Sequence, residues 1–194
     1  MWRILVLILL LGLAGCSERA APAFRNIDIS GAEFGRSLAG LKDHQGKPST
    51  LADFQGKAVV VFFGYTFCPD ICPTTLARFA EVMGQLGSDA DRVQVIFVTL
   101  DPERDTPENL AVYVSWFYPS FIGLYGDMAA TEAAAREFKV YFARSKGSAG
   151  MGYAIDHSAG AYVFDPGGKL RLYVKDGAPV EAIASDLKRL LDGK

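Results

Sequence analysis

Histidine is scarce in this 194-residue chain, which has two, and cysteine nearly as scarce, with three. Any site that needs soft or nitrogen ligands has few residues to draw on. Positive charge is not in excess: 20 Lys and Arg stand against 22 Asp and Glu, for a formal charge of −2 and a pI near 5.7. A surface that tracks phosphates needs clustered cations, so nucleic-acid binding is excluded. The one strong apolar run, from Ile4, is about a dozen residues, short of the roughly 20 that a membrane-spanning helix requires. Proline is missing over a long stretch, with none between Pro119 and Pro166.

What stands at the N-terminus points to a compartment. Arg3 supplies a positive charge, Ile4 to Leu11 a short apolar segment, and Leu13-Ala14-Gly15-Cys16 small residues before a cysteine. This pattern resembles a bacterial lipoprotein signal, with residues 1–15 removed and lipid attached to Cys16. Residues 16–26 then read as a tether, and residues 27–194 as one domain, because the roughly 175 residues left after a leader suit a single buried core. The expected place is the bacterial cell envelope, on the periplasmic side of a membrane, where disulfides persist. With Cys16 assigned to the lipid, Cys68 and Cys72 are the cysteines of the exported domain.

Along the domain, residues 27–57 carry short apolar alternations broken by Gly, Pro and Asp, which predict small strands and a hairpin added to a main sheet. Ala58 to Phe63 is a continuous β-branched and aromatic run, as expected of a central strand covered on both faces. Leu76, Phe79, Ala80, Met83 and Leu86 recur at helical spacing up to Gly87, and Val93 to Leu100 is a second buried-strand run. Asp105-Thr106-Pro107 predicts a helix start, running to about Phe117, with Trp116, Phe117 and Tyr118 read as helix-end core in preference to a binding platform. A short Ala-rich helix is expected over 128–138. Ala161–Phe164 and Leu170–Val174 flank Asp165-Pro166-Gly167-Gly168 and should pair as a hairpin, before an amphipathic helix from Val180 to Leu191. The order is that of an α/β, thioredoxin-like fold with an N-terminal extension and an insertion in the central region.

Cys68-Pro69-Asp70-Ile71-Cys72-Pro73 falls between the first central strand and its helix, where loops carry exposed chemistry. Because proline is awkward in a helix interior, the regular helix is predicted to begin at Pro73. The helix dipole there favours thiolate. Two thiolates and one imidazole would make a low-coordinate site for copper(I) or zinc. His157, in Tyr153-Ala154-Ile155-Asp156-His157-Ser158, precedes the C-terminal hairpin, in a loop that this architecture folds against the cysteines. A thiol oxidoreductase would usually carry a cis-proline there, and the proline-free stretch argues against an ordinary disulfide exchanger. Bland readings remain open: a structural disulfide for the cysteines, and a buried or capping histidine. Asp70 is either close to the site or a turn carboxylate, and Asp156 is a candidate to orient the His157 ring. Asp101, Glu103, Arg104 and Asp105 read as a docking or site-supporting loop or as a helix cap. The glycine-rich run around Met151 is expected to be a loop from which Met151 could swing toward a soft metal, and His44 is expected in solvent.

Gly64-Tyr65-Thr66-x-Cys68-Pro69-Asp70-x-Cys72-Pro73, then Leu100-Asp101-Pro102-Glu103-Arg104-Asp105-Thr106-Pro107, then Asp156-His157-Ser158 resemble the three signatures of the Sco/SenC family, in family order. The likeness covers about residues 27–190. It implies that Cys68, Cys72 and His157 hold one copper ion, and that the chain is a membrane-anchored metallochaperone for the copper A site of cytochrome c oxidase subunit II. Other periplasmic copper carriers or thiol reductases would be further partners, and the oxidase role favours the inner membrane. A thiol-disulfide reductase using Cys68 and Cys72 as catalytic residues on the subunit II cysteines, and a copper or redox sensor, are the alternatives.

Overall fold

In the computed structural model, which describes residues 24–147 and 152–193, the chain folds around two fully buried parallel strands. These are β3 (Ala58–Gly64) and β4 (Val93–Thr99), paired in register from Ala58 opposite Val93 to Gly64 opposite Thr99. Their unbroken apolar character is the expected signature of strands covered on both faces. The full sheet runs β1 (Ile27–Asp28), β9 (Leu170–Val174), β8 (Ala161–Phe164), β3, β4, β5 (Ile122–Tyr125) and β2 (Lys42–Asp43). Strand β5 adds a third parallel member, while β8, β9 and the two short edge strands are antiparallel to their neighbours. The α-helices among the described residues are α1 (Ile71–Leu86), α2 (Pro107–Phe117), α3 (Met128–Glu137) and α4 (Val180–Leu191), with α1 packed on α4 and α2 on β5. Among the described residues no helix is long and apolar enough to cross a membrane. The expected leader, Cys16 and most of the tether lie outside the described residues, as does Met151.

The thioredoxin-like, mixed α/β arrangement is as expected, and several local expectations need correction. The N-terminal addition supplies the expected small strands and a tight hairpin, with Lys42 opposite Pro48 and the Asp43 N–H donating to the Lys47 carbonyl at 2.8 Å, while β1 and β2 go to opposite edges of the sheet and cover rims that would otherwise expose unpaired backbone groups. His44, expected in solvent, is half-buried, and its Nδ1 accepts the Gly123 N–H at 3.2 Å on strand β5. Helix α1 begins at Ile71 rather than Pro73. Proline is tolerated there because the first four N–H groups of a helix have no partner within it. Thr106 caps α2, its hydroxyl accepting the Asn109 N–H at 3.2 Å, but Asp105 beside it is not a cap. Trp116 is no part of the core and is 84% exposed, whereas Phe117 and Tyr118 do pack partly against it.

The central insertion is a separate two-stranded sheet. Strand β6 (Phe142–Lys146) pairs antiparallel with β7 (Tyr153–His157), placing Phe142 opposite His157. His157 is therefore the last residue of a strand, not part of a loop. At the other end of the molecule, Asp186 on α4 is buried and accepts the N–H groups of Arg25 and Asn26 at 3.0 and 2.8 Å and the Asn26 amide at 2.8 Å. This pins the entry of the chain to its last helix. Replacing Asp186 with Ala leaves those donors unpaired, so urea unfolding should show a loss of about 2 kcal/mol, with protease cleavage appearing ahead of Ile27; unchanged stability would refute the anchoring role.

Candidate metal centre

Three chain segments converge because of strand direction. Parallel β3 and β4 end side by side, and the Leu100 N–H donates to the Gly64 carbonyl at 2.7 Å, so the loops that follow them start as neighbours. Strand β8 runs opposite to β3, with Ala161 facing Phe62, so the residues just before it arrive at the same edge. In open α/β sheets this carboxyl edge is where ligands collect. Here it gathers Cys68 and Cys72 from the first loop and His157 from β7. Their ligand atoms all lie within 4.8 Å of one another.

The first loop is held tightly. Cys72 is fully buried at the second position of α1, and its backbone N–H points at the Cys68 sulfur, 3.5 Å away. That sulfur thus occupies the place of a capping side chain, where the exposed helix N–H groups favour negative charge. Asp70, the residue before the helix, uses its main-chain carbonyl to accept from the Thr74 N–H and hydroxyl at 3.1 and 2.7 Å. Its side chain makes no cap bond and is exposed. Gly64 is required beneath the pair, because a Cβ there would lie 2.7 Å from the Cys72 sulfur and 2.8 Å from the Phe97 ring.

His157 reaches the cysteines from the side, with Nε2 at 3.4 Å from the Cys72 sulfur, and its ring lies edge-on to Tyr65 and Phe62. Its Nδ1 is 3.0 Å from the Ser158 carbonyl. The carbonyl can only accept, so Nδ1 donates to it, and this bond fixes the ring with Nε2 facing the sulfurs. The orienting group is this carbonyl and not Asp156, whose side chain is exposed.

The loop at 100–106 is the scaffold between these parts. Asp105, 1% exposed, accepts the Thr66 N–H at 3.0 Å, the Thr66 hydroxyl at 2.6 Å and the Thr99 hydroxyl at 2.5 Å, fixing the cysteine loop to the end of β4. Asp101, fully buried, is paired with Arg104 and accepts the Tyr153 hydroxyl at 2.7 Å, while Arg104 donates to the Tyr153 carbonyl at 3.0 Å. Tyr153 begins the strand that His157 ends. Glu103 pairs with Arg144 on β6 at 2.6 Å, steadying the same hairpin from outside. The sequence motif around Asp101 marks this loop and that around Cys68 includes Thr66, whereas Thr99 and Tyr153 carried no signal of their own.

The two thiols are not equivalent. A hydrogen bond from the Cys72 thiol, helped by His157 and the helix N–H groups, holds Cys68 well below the ordinary thiol range. Cys72, donating that bond from a buried position, is pushed up. Burial likewise raises Asp105, against the bonds from Thr66 and Thr99. One thiolate, one thiol and the Nε2 edge of an imidazole are therefore presented together.

The SCO1/SenC family model matches residues 32–192. The chain belongs to the SCO1/SenC family. Among its relatives is mouse "Protein SCO2 homolog, mitochondrial", 36% identical over 160 residues, which are 81% of this chain and 63% of the mouse protein. The chain thus spans under two thirds of that relative. Copper-bound ScoI of Bradyrhizobium japonicum is 36% identical with a TM-score of 0.70, covering 87% of this chain and 99% of that one. Copper-bound yeast Sco1 is 27% identical with a TM-score of 0.71, covering 89% and 91%. In this Sco chain, the carboxyl-edge cluster is the group among the described residues that could hold a metal ion.

Two outcomes follow for the reduced protein. Iodoacetamide at pH 6 should label Cys68 and spare Cys72, since a depressed thiol keeps its thiolate as pH falls and a raised one stays protonated; equal labelling, read by peptide mass, would refute the asymmetry. Asp105→Ala should cost about 3 kcal/mol in urea unfolding, because three buried donors lose their acceptor; a loss below about 1 kcal/mol would show that the scaffold bears little weight.

Proposed function

We propose that this chain is a copper carrier of the cell envelope, holding one copper ion between Cys68, Cys72 and His157 and handing it to the copper A site of cytochrome c oxidase subunit II. The carrying observation is the convergence of two sulfurs and an imidazole nitrogen, all within 4.8 Å. Soft thiolates select copper(I), and three ligands leave one side open for exchange. The Ser158 carbonyl supports the reading, since a ring nitrogen that donates to a carbonyl directs the other toward a metal. The copper-bound relatives support the cargo. The subunit II target, other periplasmic copper carriers or thiol reductases as partners, and attachment through lipid on Cys16 to the inner membrane belong to this proposal through the family resemblance.

Loading has a defined proton balance. Cys68 is already thiolate, so binding both sulfurs expels the Cys72 proton. Copper affinity therefore falls as pH falls, by up to about tenfold per pH unit for one released proton. A second reading has an observation in its favour. Cys68 and Cys72 are free, one accessible as thiolate and one buried as thiol, which is the asymmetry of a dithiol reductant. That reading needs the pair and not His157.

Anaerobic copper(I) titration of the reduced protein against a competing chelator separates the two. The carrier reading expects one tight equivalent, lost in Cys68→Ala and Cys72→Ala and weakened at least about tenfold, ~1.4 kcal/mol, in His157→Ala. Wild-type protein without tight copper, but with dithiol exchange intact in His157→Ala, would establish the reductase instead.

A further inference from the structure

Five large apolar side chains are exposed among the described residues: Ile27, Phe67, Val112, Trp116 and Tyr141. Their placement is uneven. Phe67, 48% exposed, immediately precedes Cys68, and with Thr66 it forms one wall of a groove whose other wall is Asn109, Val112 and Tyr113 of α2. Val112 and Trp116, one turn apart on that helix, are 70% and 84% exposed. Neither packs into the core, and surface aromatics gathered in one place are unusual unless a partner covers them.

The metal centre decides what that partner is. Cys72 is fully buried, so Cys68 is the sulfur with access to solvent. A donor atom that takes over the ion by ligand exchange has to approach across Cys68, and the surface beside Cys68 is Phe67 and the exposed face of α2. Charge narrows the choice further. Residues 65–70 and 106–117 contain the exposed carboxylates Asp70 and Glu108 and no Lys or Arg. Arg104, whose guanidinium lies 4.9 Å from the Phe67 ring, has its charge matched by buried Asp101.

We propose that Phe67, Val112 and Trp116 form the docking face for the protein that receives copper from Cys68, a partner presenting its soft ligand within an apolar patch that has a cationic rim. The proposal rests on the carrier reading and adds the surface by which the acceptor is recognised. Aromatic side chains at the centre of such a face carry most of the binding energy, and complementary charge at its edge speeds the encounter.

The test uses the full chain solubilised in detergent, loaded with copper(I), and two acceptors: the apo copper A domain of oxidase subunit II and a small copper(I) chelator. Val112→Glu and Trp116→Glu, both at exposed positions, should keep wild-type copper affinity and wild-type transfer to the chelator. Transfer to the protein acceptor at limiting concentration should slow about 30-fold, as for loss of one interface anchor, and Trp116→Phe should restore most of the rate. Transfer by the Glu variants as fast as wild type would overturn the docking face alone. Wild-type protein that yields copper to the chelator but not to the copper A domain would overturn the delivery reading, and this acceptor for the face with it.

Discussion

A carboxylate almost without solvent sits between the two loops that leave the central parallel strands. Asp105 accepts three hydrogen bonds, from the Thr66 N–H and hydroxyl and from the Thr99 hydroxyl. Burying such a group without partners costs several kcal/mol, so its position is tolerable only while all three donors stay in place. The consequence is mutual constraint. Thr66 lies two residues before Cys68, and Thr99 ends β4, so the cysteine loop cannot shift without breaking bonds that the sheet end supplies. Asp101 extends the constraint to the hairpin bearing His157 through Tyr153 and Arg104, whose guanidinium lies 3.7 Å from the centre of the Tyr153 ring. One short loop thus indexes both halves of the centre to the same rigid strand.

This polar scaffold is separate from the sulfurs, and the separation has an electrostatic reason. A carboxylate in direct contact with Cys68 would disfavour a second anion, whereas hydrogen-bond donors such as the backbone N–H groups and the Cys72 thiol favour it. The negative charge needed to attract a cation is concentrated on one sulfur at the helix entry. Asp105 acts on position, one layer behind, and its own burial raises its pKa.

Elements whose burial is dictated by composition were legible in the sequence. The runs Ala58 to Phe63 and Val93 to Leu100 could hardly be anything but central strands, and the turn at Asp165-Pro166-Gly167-Gly168 announced the β8–β9 hairpin, which the structure shows. Strands β6 and β7 were not, because they lie mostly at the surface, with polar side chains such as Arg144, Ser145 and Lys146, and owe their pairing to Asp101, Glu103 and Arg104 from a distant loop. The cysteines and the histidine could be picked out because so few soft or nitrogen ligands exist in the chain. The Ser158 carbonyl could not, since a main-chain acceptor leaves no mark on composition. Trp116 misled for a related reason: an aromatic residue at a helix end reads as core, and only the direction of the helix face decides otherwise.

That direction bears on how exchange would proceed at the centre. Cys72 is fully buried over Gly64, and the half-buried His157 ring is held by Phe62 and the Ser158 carbonyl. Cys68 is bounded behind by the helix N–H groups and in front by solvent. A competing ligand therefore meets Cys68 first, and displacing that sulfur leaves a thiolate that the Cys72 N–H and the helix dipole can still stabilise. On the carrier reading, exchange would be favoured on the side where the leaving ligand keeps its charge satisfied, which is also the side of Phe67, whose groove is shared with Val112 of α2.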